Sequence, residues 1–232
     1  MLKKSLSIII PIYNEEKTIL EILKKIQISK IENVDFQVIV VNDGSTDGTL
    51  DILNNNSSLY NILISERKNG GKGMAVKNGL AVATGDYIIF QDGDLEYDPK
   101  DYIKFVNMFT RFDADIVLGS RFHYSDYTRS HNFFNKLGNH FLTFIFNFLY
   151  NTTFTDVYCC YVAFKRDLLI IKNIKTLGFE QHAEILCNLV KSGKRLYEVP
   201  VNYNGRSVQE GKKIKFYHIF KVLFVIILKR FK

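Results

Sequence analysis

The sequence has few cysteines, no long apolar run and none of several common catalytic motifs, and each shortage excludes a class of protein. Cys159, Cys160 and Cys187 are an odd count without CxxC spacing. They support neither a disulfide framework nor a cysteine zinc site, and a reducing compartment is expected. No stretch reaches the roughly 18 to 20 apolar residues that a bilayer-spanning helix needs, so any membrane contact is expected to be peripheral. The first apolar run follows Lys3 and Lys4 and stops at Pro11, too short for a secretory signal, and reads as a first strand. GxGxxG, GxSxG and HExxH are absent, which removes the usual warrant for a dehydrogenase, an α/β-hydrolase or a zincin. NGGKG at 69–73 is not a P-loop, because Gly73 stands where Ser or Thr is needed and Glu66 where a glycine is needed.

What is present is enough apolar material for a good core. The 232 residues are 47% hydrophobic, which suits one or at most two domains. The formal charge of +7 points to an anionic partner, and the excess lies after Gly211, where seven basic residues from Lys212 to Lys232 meet no acid. This basic tail lies among long apolar and aromatic residues, outside any recognisable nucleic-acid motif. A lipid surface is therefore expected as the partner, and nucleic acid is not.

Short, near-continuous β-branched runs recur at 6–12, 36–41, 59–64, 87–90 and 116–118, as in strands buried on both faces. Helical spacing of Ile19, Ile22, Leu23 and Ile26, and the Ala-rich stretch 74–83, fall between them. The alternation predicts an α/β fold with a doubly wound, mainly parallel sheet, whose ligands collect at the carboxyl ends of the strands. Beyond Arg121 an aromatic helix is expected over 132–150, a second helix over 180–191 and a strand over 196–201. No linker separates the halves. One domain is expected over 1–232, with a Rossmann-like nucleotide-binding half at 1–120, an acceptor half at 121–212 and a basic amphipathic helix at 213–232.

The polar clusters sit at strand ends. After the fourth strand, QDGDLEYDP puts Asp92 and Asp94 on either side of Gly93. Two carboxylates there make a hard-oxygen pocket suited to Mg²⁺ or Mn²⁺, with phosphate oxygens and water filling the other positions. A solvated acidic turn is the alternative, but acids directly after a buried strand are costly unless a cation binds. PIYNE at 11–15 and NDGSTDGT at 42–49 reach the same edge. Tyr13 offers an aromatic face to a base, Asp43 accepts from a base and Glu15 from a ribose, while Ser45, Thr46 and Asp47 read as turn and cap residues. In NGGKG, bare backbone N–H groups and Lys72 can meet phosphate.

These segments, with DIVLGSR (115–121), TD (155–156) before CCYVAFKR (159–166), and EVPVNYNGRSVQEGKKI (198–214), resemble the family 2 glycosyltransferases of GT-A fold. The nearest branch is that of the dolichyl-phosphate mannose synthases and related polyprenyl-phosphate glycosyltransferases. The resemblance runs in order from Ser7 to the C-terminal helix. It implies that Pro11, Tyr13, Glu15, Val41 and Asp43 line the nucleoside pocket and that Asp92, Gly93, Asp94 and Glu96 hold the metal and diphosphate, with Asp92 and Asp94 the metal ligands. Arg121, Arg206 and Lys212 match basic positions used around the phosphates and the acceptor, assisted by Lys213. Where Gly93 stands the family commonly has Ala, and where Cys160 and Val162 align it often has Gly and a basic residue.

The implied reaction is a single inverting displacement that moves a hexose from a nucleotide sugar, GDP-mannose or UDP-glucose, to a polyprenyl phosphate at the cytoplasmic face of a membrane. Asp94, Asp156 and Arg206 are its catalytic candidates. Asp156 reads as a general base for a hydroxyl acceptor, as a positioning group for a phosphate acceptor, or as a helix cap or partner of Arg206. Transfer to a glycan or protein hydroxyl is a second reading, and non-catalytic nucleotide-sugar binding a third.

Overall fold

Runs that are apolar at every position make strands only if both faces of the sheet are covered, and the fold meets that condition. The computed structural model describes residues 3–129, 133–178, 180–206 and 218–231. The strands are β1 (Lys4–Ile12), β2 (Val34–Asn42), β3 (Ile62–Ser65), β4 (Tyr87–Phe90), β5 (Ile116–Ser120), β6 (Val162–Lys165) and β7 (Leu196–Pro200), in the order β3-β2-β1-β4-β6-β5-β7. The first four of that order run parallel, β6 is antiparallel to both β4 and β5, and β5 and β7 are parallel. This is the expected doubly wound, mainly parallel α/β sheet. The antiparallel β6, formed by the expected family segment 162–165, is inserted near its centre.

Alternation within each strand splits the core into two layers. Leu6, Ile8, Ile10, Val38, Val40 and Ile89 face α1 (Ile19–Ile28), α2 (Thr49–Asn55) and α4 (Tyr102–Phe112). Ile9, Ile39, Val41, Ile88 and Phe90 face α3 (Lys72–Val82), α5 (Phe133–Tyr150), α6 (Gln181–Ser192) and α7 (His218–Phe231). In α1 the expected stripe of Ile19, Ile22, Leu23 and Ile26 is fully buried, each side chain stabilising the fold by roughly 1.5–3 kcal/mol. In α4, Tyr102, Phe105, Val106 and Phe109 form the same stripe. Its anchor is Phe109, stacked on Tyr87 of β4 with centroids 4.2 Å apart, and it ends at Asp113 in the left-handed region.

The parallel strands β2 and β4 flank β1, and their crossovers place α1 and α3 on opposite faces. The crevice of such a sheet lies where the connections diverge, outside the carboxyl ends of β1 and β4. PIYNE leaves β1 there and QDGD leaves β4 there. The C-terminal segment is two-sided. Val222, Val225 and Ile226 of α7 are buried, while Phe220, Phe224, Ile227 and Phe231 face outward. The expected lipid-reaching role of Lys229 meets a correction, because its Nζ lies 2.5 Å from Glu184 Oε1, a fully buried carboxylate. Among the described residues no helix is long and apolar enough to cross a membrane.

Candidate active site

A cavity of about 320 Å³ opens outside the carboxyl ends of β1 and β4. Its floor is Pro11, Tyr13 and Glu15 from the end of β1, Asp43 after β2, Lys72 at the start of α3, and Asp92, Gly93, Asp94 and Glu96 after β4. Arg121 and Arg206 close the side. The expected residues Val41 and Asp156 do not line it. Val41 is fully buried on β2, its side chain turned toward α3 where Gly79 leaves room. Lys212 and Lys213 lie outside the described residues.

The glycines of NGGKG are explained by a neighbour. Gly71 has φ +92°, and a Cβ on it would stand 2.7 Å from the Leu177 carbonyl oxygen. That same oxygen accepts from Gly73 N at 2.8 Å. Asp43 fixes the other side of the loop, accepting from Gly70 N at 2.8 Å and Gly71 N at 2.9 Å. The loop therefore presents Lys72 to the cavity from a backbone that has little room to move. Gly93 is required for a different reason. A Cβ there would meet Ile12 Cγ2 at 2.7 Å, so the space that the family commonly gives to an alanine methyl is taken by Ile12.

The electrostatics centre on two carboxylate–cation contacts. Lys72 Nζ donates to Asp92 Oδ1 at 2.6 Å, and Arg206 Nη2 donates to Asp94 Oδ2 at 2.9 Å. Burial pushes Asp94 up to about 7, reinforced by the charges of Asp92 and Glu96 and opposed by Arg206. Burial acts the same way on Asp92, but the Lys72 ammonium outweighs it and holds that carboxyl below its ordinary value. Lys72 is in turn held above the usual lysine range, because Asp92 outweighs burial. The hard-oxygen donors fit a divalent cation, whose charge would relieve the repulsion that raises Asp94. Among the described residues no group of three or more His, Cys, Asp or Glu side chains is arranged to hold a metal. Two protein carboxylates are a sufficient protein contribution for an ion that takes phosphate and water as its other ligands.

Asp156 is bound to Arg121 rather than Arg206. Its Oδ2 accepts from Arg121 Nε at 2.7 Å and its Oδ1 from Arg121 Nη2 at 2.8 Å, a bidentate pair with Asp156 fully buried. The backbone N of Asp156 donates to Glu198 Oε1 at 3.1 Å. This arrangement aims Arg121 at the cavity.

Several lining residues had not been singled out. Tyr97 and Tyr203 pack with centroids 5.0 Å apart beside Arg121, whose guanidinium lies 5.2 Å from the Tyr203 ring centroid. Gln91, fully buried, accepts from the hydroxyls of Tyr102 at 2.6 Å and Tyr161 at 2.5 Å, which anchors the start of the QDGD turn. Asn135, Asn139 and Leu142 of α5, with Ile219 and Val222 of α7, form the far wall. For Asn135 and Asn139 the signal was their spacing of four, which puts both on one face of α5. The aligned departure Cys160 lies 3.8 Å from Lys72 Nζ, at the inner end of the cavity.

The mainly parallel sheet with an acidic crevice at its switch point is the GT-A fold. The chain belongs to glycosyl transferase family 2, whose sequence model matches residues 7–170. It is 32% identical over 86% of its length to an uncharacterized protein of Methanocaldococcus jannaschii, 89% of which is covered. It is 35% identical over 117 residues to the poly(ribitol-phosphate) beta-glucosyltransferase of Bacillus spizizenii, which covers 49% of this chain and 18% of that larger protein. Among solved structures, glucosyl-3-phosphoglycerate synthase from Mycobacterium tuberculosis, in complex with Mn²⁺, UDP and phosphoglyceric acid, has the same fold. Its TM-score is 0.70 at 18% identity, with 98% of this chain and 78% of that one covered.

Proposed function

We propose that this chain is a metal-dependent, inverting hexosyltransferase that moves a sugar from a nucleoside diphosphate donor to a polyprenyl phosphate at the cytoplasmic face of a membrane. The observation that carries the donor half of this reading is the convergence of Asp92, Asp94, Lys72 and Arg206 in one cavity at the sheet's switch point. Residues 1–120 supply the nucleoside side, where Tyr13 stacks on the base and Asp43 and Glu15 take its polar groups. Asp92 and Asp94 would hold Mg²⁺ or Mn²⁺, which would stabilise the charge that grows on the leaving diphosphate. Lys72 and Arg206 add fixed positive charge beside the same phosphates. The binding of Mn²⁺ and UDP by the mycobacterial synthase supports this donor class.

The acceptor half of the reading rests on residues 121–212 and on the pair α5 and α7. Arg121, held in one orientation by Asp156, offers a fork to the acceptor phosphate. A phosphate oxygen is already ionised at neutral pH and needs orientation more than deprotonation. An Asp156 that positions Arg121 fits such an acceptor better than a hydroxyl, which needs a free base. The inner faces of α5 and α7 give the cavity an apolar wall through Leu142, Ile219 and Val222. Their outer faces carry Phe144, Phe148, Phe220 and Phe224, each exposed, and neither helix contains an acid. Such a surface suits an anionic bilayer that holds the lipid tail while its phosphate enters the cavity.

A glycan hydroxyl acceptor is the second reading, favoured by the similarity to a poly(ribitol-phosphate) glucosyltransferase. Incubation with UDP-glucose and GDP-mannose, each with a short polyprenyl phosphate or a ribitol-phosphate polymer, separates the two by product mass. A nucleotide-sugar-binding protein without turnover releases no nucleoside diphosphate in any arm.

A further inference from the structure

Four carboxylates, Glu15, Asp92, Asp94 and Glu96, converge on one end of the cavity with two cations among them. Lys72 takes Asp92. Arg206 takes the other three. Its Nη2 lies 2.9 Å from Asp94 Oδ2 and 3.4 Å from Glu15 Oε1, its Nη1 lies 3.4 Å from Glu15 Oε2, and its backbone N donates to Glu96 Oε1 at 2.7 Å. Each aspartate of the QDGD turn thus has one oxygen covered by a cation of the chain itself. The buried Arg206 Nε–H faces Glu96 Oε1 at 3.7 Å, beyond hydrogen-bond reach, and has no hydrogen-bond partner among the described residues. A buried donor of this kind costs free energy until an acceptor reaches it.

We propose that Arg206 is the internal counter-ion of the ligand-free site, exchanged from Asp94 to the donor's diphosphate when metal and nucleotide bind together. The inference rests on the donor reading above and adds to it a coupling between the two ligands. A divalent ion arriving alone must compete with Arg206 for Asp94, and the displaced guanidinium would then have to rearrange its pairing with Glu15 and Glu96. A diphosphate arriving with the ion supplies oxygens in the geometry a guanidinium fork prefers, including a hydrogen-bond acceptor for the Nε–H. Metal and diphosphate then favour each other's binding by the same factor. The direction is specific to this arrangement. Removing Arg206 raises affinity for the metal alone and lowers affinity for the nucleotide, whereas a merely structural arginine, once lost, weakens both.

The test is a titration of free Mn²⁺ by electron paramagnetic resonance, without nucleotide, on the wild-type chain, Arg206→Met and Arg206→Lys. Calorimetry with UDP and with GDP at fixed Mn²⁺ follows. Arg206→Met is expected to bind Mn²⁺ alone about tenfold more tightly than wild type, within the roughly 5–150-fold range of coupled sites. It should bind the preferred nucleotide about tenfold more weakly, and Arg206→Lys should stay near wild type in the metal titration. Equal or weaker binding of Mn²⁺ alone by Arg206→Met overturns the exchange, and retained Mn²⁺-dependent nucleotide binding shows that the donor reading survives it. No Mn²⁺ binding by any form, even with nucleotide, overturns both. Should the methionine variant not fold, the wild-type chain decides. Its Arg206 ¹⁵Nε resonance should shift with Mg²⁺ plus nucleotide and not with Mg²⁺ alone, and an equal shift with Mg²⁺ alone contradicts the exchange.

Discussion

Lys229 of the C-terminal helix reaches Glu184 at 2.5 Å inside the protein, and Glu184 also accepts from Lys175 N, Thr176 N and Thr176 Oγ1. The carboxylate therefore ties α7 to the segment 175–178, whose Leu177 carbonyl packs on Gly71 and Gly73 beside Lys72. Removing one partner of a buried pair typically costs about 3–5 kcal/mol. Three further donors remain on Glu184, so Lys229→Met should destabilise by about 2 kcal/mol in urea unfolding. A variant as stable as wild type would show the pair to be incidental.

His182 gives stability a pH dependence of known sign. Burial, aided by the Lys72 ammonium, pushes its imidazole from the ordinary 6.5 down to about 4. Between these values the unfolded chain binds the extra proton, so the contribution is intact above pH 6.5 and is lost as pH falls toward 4. The urea midpoint of wild type should therefore drop across this window more steeply than that of His182→Gln. Parallel profiles for the two proteins would contradict the assignment.

Gly93→Ala restores the residue that the family commonly carries, yet here it should destabilise by about 1–3 kcal/mol, the usual cost of overpacking. The obstacle is Ile12 Cγ2. Combining Gly93→Ala with Ile12→Ala should therefore cost less than the sum of the two single changes. Additive costs in a double-mutant cycle would show that Ile12 is not what excludes the methyl.

The outer faces of α5 and α7 should bind anionic vesicles. Phe144→Ser with Phe148→Ser and Phe224→Ser is expected to lower co-sedimentation at least about tenfold, since each lost aromatic removes apolar area from the interface. The melting temperature should change little, because these rings are exposed. Point variants are the right tool. Deleting the helix instead would remove Val222, Val225 and Ile226 from the core and open the cavity wall. Unchanged sedimentation of the triple variant would refute docking through this face.

The strand ends that line the cavity were legible in the sequence because their information is local. A strand, its end and the polar residues just beyond are contiguous, so PIYNE, NDG and QDGD could each be placed at the sheet's carboxyl edge from apolar runs alone. The surroundings of Asp156 depend on contacts that no short window contains. Asp156 meets Arg121 from 35 residues away and Glu198 from 42 residues away, so its partner could not be read from spacing. Val41 belongs to the right strand but does not reach the cavity, because its side chain is enclosed against Gly79 in the layer under α3. The helix α4 was present as a stripe at Tyr102, Phe105, Val106 and Phe109. Its aromatic and β-branched content hid it among strand-like residues. The insertion of β6 beside β4 follows from pairing rather than from composition.

The proposed role of Asp92 and Asp94 is to activate a nucleotide sugar for transfer to a lipid phosphate. Its most direct test is the mass-spectrometric yield of glycosylated polyprenyl phosphate from UDP-glucose or GDP-mannose, with the wild-type chain and Asp94→Asn compared over full Mg²⁺ and Mn²⁺ titrations. The substitution keeps the size of the side chain and removes the anionic ligand. Wild type should give the glycolipid with one of the donors, and the variant should fall by more than about 100-fold, beyond the 10–100-fold typical of losing only a supporting group around a metal. Wild-type yield from Asp94→Asn at any metal concentration would contradict the account.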